Sequence, residues 1–170
     1  MIERVEVERV FNLGNYENIK IRLVVDAGPK PEKAFATACN LIYKMYEAHE
    51  VVRKVNRLIA SLETHLKSVR SRITSKQETI HDLAIRKMDE CELRGLDEEE
   101  RALRLKQLDK QIKRLKEEIE KLKKEEAETK ELLENTKKLR SKIKELFSEG
   151  KLDEILKLEI PNINIDIDNW

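Results

Sequence analysis

The chain has 170 residues, of which 41% are charged and only 4% aromatic, and its 35 basic residues nearly cancel 34 acidic ones. Such a composition excludes a large globular core, and it suits long helices that bury a narrow aliphatic seam. Disorder is disfavoured, because it goes with a large net charge and aperiodic apolar residues. Abundant Lys, Glu and Arg beside three glutamines suit a protein that works hot, where ion-pair networks gain value. Cys39 and Cys91 lie far apart without a CxxC spacing and read as thiols of a reducing compartment. The first residues alternate charge with valine, unlike a signal peptide. No apolar run approaches the roughly 20 residues of a membrane span. The expectation is a soluble cytoplasmic protein.

Residues 2–27 read as two strands. Val5 and Val7 alternate with charged neighbours. Ile19, Ile21, Leu23 and Val25 alternate more cleanly, and a period of two puts them on one face of a sheet. Gly14 and Asn15 supply the turn between the strands. A lone hairpin is marginal in water, so its apolar face needs a cover.

Pro31 suits the first turn of a helix, and Glu32 favours its dipole. A first helix is predicted from about Pro31 to Leu93. Its seam is Met45, Ala48, Val52, Val55, Ile59, Leu62, Leu66, Val69, Ile73, Lys76, Ile80 and Leu83, with the three–four steps of a heptad pattern. Gly95 ends it, and Asp97 with Glu100 forms a capping box for the next helix. That helix runs to about Ser148, with Gly150 as its stop. Its seam is Leu108, Ile112, Leu115, Ile119, Leu122, Glu126, Thr129, Leu132, Thr136, Leu139, Ile143 and Leu146. The two successive steps of three from Glu126 to Leu132 predict a local phase change. Folded about Gly95, the seams place Leu83 against Leu108, Ile73 against Ile119, Val69 against Leu122, Ile59 against Leu132 and Val55 against Thr136.

Leu152, Ile155 and Leu156 read as a short helix. The stretch 160–168 alternates isoleucine with polar residues and reads as a third strand beside the first two. The expected fold is mainly α. It is a long antiparallel coiled-coil helical hairpin with a small β-sheet at its base, made of the N-terminal β-hairpin plus the C-terminal strand. Its parts are the β-hairpin (1–30), the coil (31–149, turn at 94–97) and the closing helix and strand (150–170).

Catalytic signals are thin. His49, His65 and His81 are spaced so that they do not converge on a helix. Glu78 and His81 match one Glu-x-x-His step of a di-iron bundle, but such a site needs a second copy of the step and two further glutamates. Phosphate loops, dinucleotide fingerprints and nucleophile elbows are lacking. The chain is expected to be no enzyme and to carry neither cofactor nor metal.

Three constellations suit binding. From Val51 to Gln77, Arg53, Lys54, Arg57, Lys67, Arg70, Arg72 and Lys76 stand against Glu63 alone, a run able to engage phosphates. The competing reading pairs these groups with glutamates across the coil, Glu117, Glu118, Glu120, Glu125, Glu126, Glu128, Glu131 and Glu134. On the β-hairpin, Arg4, Arg9, Lys20 and Arg22 accompany Phe11 and Tyr16. Cations beside aromatics suit single-stranded nucleic acid, unless the rings simply pack the turn. At the end, Asp166, Asp168 and Trp170 form a short acidic, aromatic tail suited to a protein partner, or an edge strand.

The segment Phe11-Asn12-Leu13-Gly14-Asn15-Tyr16-Glu17-Asn18-Ile19 resembles one found in small, mostly uncharacterised proteins of phages, archaeal viruses and mobile elements. That resemblance implies a replication or recombination setting. A weaker likeness is to archaeal single-stranded DNA-binding proteins with a small sheet domain and a coiled-coil zipper. The tail is loosely similar to the acidic ends of bacterial single-stranded DNA-binding proteins. The leading expectation is therefore a homo-oligomeric coiled-coil protein, dimer or tetramer, that contacts single-stranded DNA. The alternative is a structural adaptor or chaperone-like scaffold for protein partners.

Overall fold

The computed structural model describes residues 4–14, 17–92 and 97–161. Two strands, β1 (Arg4–Gly14) and β2 (Glu17–Asp26), precede two long helices, α1 (Pro31–Glu92) and α2 (Glu98–Ser148), and a short α3 (Leu152–Leu156). The two long helices pack against each other, and the strands form a small antiparallel sheet at the N-terminal end of the chain. Contacts group the chain into two compact units. One joins the chain through Leu58 to the stretch from Thr136, and the other is Ile59–Asn135.

In the first unit, β1 and β2 pair from Arg4 opposite Asp26 to Asn12 opposite Asn18, with an irregularity between Asn12 and Gly14. The predicted alternation holds. Val7 and Ile21 are buried, and Val5, Phe11, Ile19, Leu23 and Val25 pack around them. The cover for that face is α1, through Ala38, Ile42, Cys39, Met45 and Tyr46. Pro31 opens α1 as expected, with the Lys30 carbonyl accepting from the amides of Lys33 and Ala34.

Further along α1 in this unit, Ala48 and Val55 are fully buried, as are Ile143 of α2 and Ile155 of α3. Gly150 ends α2 at a φ of 72°. The Lys151 amide donates to the Leu146 carbonyl and the Gly150 amide to that of Phe147. This paired closure of a helix end needs a left-handed residue at Gly150. It turns the chain so that Leu152 and Ile155 are buried, with Asp153 beside Lys44 at 2.8 Å.

In the second unit, Val69 and Ile73 of α1 share a core with Ile119 and Leu122 of α2, and Ile80 packs on it. Those are the partners that the two predicted seams set opposite each other. One expectation fails here. Leu133 is buried and Leu132 only half-buried, so α2 keeps its three–four rhythm through Leu122, Glu126, Thr129, Leu133 and Thr136 without a phase change. Glu126 is accommodated because its long side chain reaches out of the seam to Arg70 and Lys130. Thr129 is accommodated because its hydroxyl donates to the Glu125 carbonyl of its own helix, at 2.7 Å.

Asp97 stands ahead of α2, where its carbonyl accepts from the Arg101 amide. Glu100, expected to reach back to Asp97, pairs with Arg104 instead at 2.7 Å. The predicted turn at 94–97 lies outside the described residues except for Asp97. Of the predicted third strand only Ile160 and Pro161 are described, and neither is in a strand. Among the described residues, no helix is long and apolar enough to cross a membrane.

Candidate binding surfaces

Strand alternation divides the sheet's functional candidates between its two faces. Arg4, Glu6, Glu8, Val10, Lys20, Arg22, Val24 and Asp26 share the face turned away from α1, while Arg9 and Phe11 belong to the covered side with Val7. The cations on the outer face do not stand alone. Arg22 lies 2.6 Å from Glu6 and Lys20 lies 3.0 Å from Glu8, as diagonal cross-strand pairs, and Arg4 is 4.0 Å from Asp26. Glu6 holds the Arg22 guanidinium above its ordinary pKa by hydrogen bond and charge. Val10 and Val24 are the apolar side chains left exposed on this face, at 60% and 53%. Arg9 is exposed.

Phe11 is not displayed beside those cations. Its ring stacks on Tyr46 with centroids 4.2 Å apart, and meets the edge of Tyr43 at 5.8 Å. One face of the Phe11 ring is thus taken up by the protein's own Tyr46. Tyr16 lies outside the described residues, as do Asp166, Asp168 and Trp170. The hydrophobic seam of α1 does not single out the two tyrosines as partners of the hairpin. Their three-residue spacing, which puts both near one face of α1, was the available signal.

The basic stretch of α1 is shared between the two units, and each part has its own surroundings. In the first unit, Arg53 lies 2.7 Å from Glu50, one turn earlier on its own helix. Lys54 and Arg57 are exposed and stand outside the ion pairs of the described residues. In the second unit, Arg70 reaches Glu126 at 2.9 Å, Lys76 pairs with Glu118, and Lys87 pairs with Asp109. Lys67 and Arg72 are exposed, and Arg72 is engaged by another group. Glu126 and Glu118 are both held below the usual carboxylate range. The causes are the hydrogen bonds from Lys130 and Arg70 for the first and from Lys76 for the second. Of the eight glutamates predicted to lie opposite, Glu118, Glu125 and Glu126 meet α1.

His65 is the one histidine with a carboxylate partner among the described ion pairs. Its Nε2 lies 3.0 Å from a Glu125 oxygen, with only 16% of the side chain exposed. Glu78 and His81 are exposed. Among the described residues, no group of three or more His, Cys, Asp or Glu is placed to hold a metal ion.

Comparison with known proteins gives no match: no family model, no curated protein and no solved structure is similar to this chain.

Proposed function

We propose that this chain is a non-catalytic protein-binding module, a helical-hairpin adaptor whose sheet presents a recognition face. The observation that carries this reading is the outer face of β1 and β2. There each of the cations Lys20 and Arg22 already faces a carboxylate, and the apolar side chains left exposed are the valines Val10 and Val24. A polyanion would have to compete with Glu6 and Glu8 for both cations. A protein surface that offers an apolar contact and its own paired charges meets no such opposition. The withdrawal of Phe11 into the tyrosine stack supports the same choice, because a single-stranded nucleic acid needs free aromatic faces.

The test is affinity capture with the whole chain after nuclease treatment, run beside a Val10→Glu, Val24→Glu double variant. The expected result is a partner that survives nuclease and is lost with the variant. Loss of capture on nuclease treatment would overturn the reading.

A second reading is favoured by one specific observation. Lys54 and Arg57 are exposed on α1, one turn apart and outside any ion pair of the described residues. Two such cations can hold a phosphate backbone without base contacts, in line with the replication setting that the Phe11–Ile19 segment implies. Fluorescence anisotropy with a labelled single-stranded oligonucleotide at low salt tests it. Binding that weakens with salt and with Lys54→Glu, Arg57→Glu would establish it, and no binding at low salt would end it.

A further inference from the structure

Within the first unit, residues 136–144 of α2 hold five cations, Lys137, Lys138, Arg140, Lys142 and Lys144, and no carboxylate before Glu145 closes the stretch. Thr136 and Ile143 are buried, and the exposed side chains are Lys138, Ser141, Lys142 and Lys144. Lys138, Arg140, Lys142 and Lys144 stand outside the ion pairs of the described residues, and Lys137 is engaged by another group. At other points of α2, Arg104, Lys123 and Lys130 each meet a glutamate three or four residues earlier. Residues 136–144 offer no such partner. Lys138 and Lys142 stand one turn apart, as do Arg140 and Lys144, and like charges at that spacing weaken a helix. In the same unit α1 adds the exposed Lys54 and Arg57, while its Glu50 is taken by Arg53. An anion bound here would relieve this crowding of positive charge.

Ser141 lies at the centre of this surface. Its neighbours along the helix face are Lys138, three residues earlier, and Lys144, three residues later, and Lys142 adjoins it. Its hydroxyl donates to the Lys137 carbonyl at 3.2 Å, so the short side chain folds back on its own helix. The result is a low point ringed by long, flexible ammonium groups, which can turn their charges onto one anionic group above it. The surroundings select the ligand. The outside of a helix is no concavity, and a small molecule there would stay mostly in water. Ile143 and Leu146 are buried and Leu139 is half-buried, so the stretch has no large exposed apolar group to enter a lipid layer or to centre a protein interface. A polymer of closely spaced phosphates fits, because successive ammonium groups neutralise successive phosphates and release their counterions.

The geometry points to a seat for a nucleic-acid backbone on α2, with a phosphate over Ser141 held by Lys138, Lys142 and Lys144, and with Arg140 beside them. This rests on the second reading above, that the chain holds a phosphate backbone through Lys54 and Arg57, and it extends that contact from α1 to α2. Phosphate contacts carry no base sequence, so binding at this seat is indifferent to sequence and falls steeply with salt.

The test is fluorescence anisotropy of the whole chain across a salt series, with a labelled oligothymidylate and a labelled duplex as separate arms, which tells the two sources of the backbone apart. Vesicles of phosphatidylserine and phosphatidylcholine form a third arm. Beside the wild type stand the combined Lys138→Gln, Lys142→Gln, Lys144→Gln variant, Ser141→Glu and Ser141→Ala. Gln, Glu and Ala all favour helix, and circular dichroism checks that each variant keeps it. The wild type is expected to bind an oligonucleotide at low salt. The triple variant should lose about tenfold or more in affinity and flatten the slope of log K against log salt by about two to three, since each neutralised phosphate contributes about 0.7–0.9. Ser141→Glu places a carboxylate where the phosphate sits and should weaken binding comparably, whereas Ser141→Ala should bind as the wild type does. Undiminished affinity in the triple variant or in Ser141→Glu overturns the inference. If Lys54→Glu, Arg57→Glu abolishes binding in that case, the second reading stands without it. No oligonucleotide binding at low salt ends both, and so does binding confined to the vesicles.

Discussion

The Phe11 ring lies flat on Tyr46, 4.2 Å between centroids and 11° from parallel, and so ties β1 to α1. Such a pair adds about 0.5–1.5 kcal/mol beyond the area it buries. Phe11 is half-buried, so Phe11→Ala should destabilise the first unit by about 2–3 kcal/mol, below the full cost of emptying a core site. Phe11→Leu should recover much of the burial but not the stacking. Denaturant melts followed by near-ultraviolet circular dichroism of the tyrosines would check both. An unchanged aromatic signal in Phe11→Ala would remove the stack from the account.

Glu6 and Glu8 face Arg22 and Lys20 on an exposed surface, and exposed pairs contribute little to stability. Glu6→Gln with Glu8→Gln should therefore shift the melting midpoint only slightly, by less than about 1 kcal/mol per pair. The effect on ligand choice should be larger. With the carboxylates gone, a free cationic face remains, and affinity for an oligonucleotide at low salt should rise above that of the wild type. Anisotropy titrations of the two proteins make the comparison. Equal affinities would mean that the acidic partners do not shield this face.

Much of this arrangement is legible in the residues themselves. The alternation from Ile19 to Val25 marks the covered face of β2, because a strand turns successive side chains to opposite sides and α1 buries one of them. Gly150 marks the end of α2, because the left-handed conformation there suits glycine. The seam residues of α1 are legible because heptad spacing holds from Ala48 to Leu83. The identity of Phe11's partner is not legible. Tyr43 and Tyr46 lie more than thirty residues away, and which aromatic meets them depends on how the sheet sits on the helix. The choice between Leu132 and Leu133 is also hidden, since either leucine satisfies a local pattern. An unbroken α-helix settles it by keeping its period through the polar pair Glu126 and Thr129. The cations of the hairpin are visible in the sequence, but their engagement by Glu6 and Glu8 follows from the register of β1 on β2.

The interhelical carboxylates give the second unit a definite response to acid. Glu118 and Glu126 are held below the ordinary carboxylate range, chiefly by hydrogen bonds from Lys76 and from Lys130 and Arg70. A carboxylate depressed in the folded state stabilises fully above its unfolded pKa of about 4.3, and that contribution disappears as pH falls through the folded value. The melting temperature should therefore hold from neutral pH down to the carboxylate range and then drop. Glu126→Gln should flatten the drop, and added salt should shrink it, because both groups are near solvent. Thermal melts by circular dichroism across that range decide the point. An acid profile unchanged by Glu126→Gln would show that other groups control it.

The path of the α2 seam can be tested by comparing two neighbouring leucines. Leu133 is buried at 6% exposure while Leu132 is only half-buried, although the spacing from Thr129 allows either to face α1. Truncating a buried leucine costs about 2–5 kcal/mol, through lost transfer energy and the cavity left behind. A half-exposed one loses less, because water already reaches it and can fill the space. Both substitutions introduce the same strong helix former, so helix propensity cancels from the comparison. Leu133→Ala should therefore lower stability more than Leu132→Ala, by about 1–2 kcal/mol on the same scale. Urea melts of the two variants with equal slopes would give the difference directly. A larger loss for Leu132→Ala would return the seam to the three–three step and restore a phase change between Glu126 and Leu132.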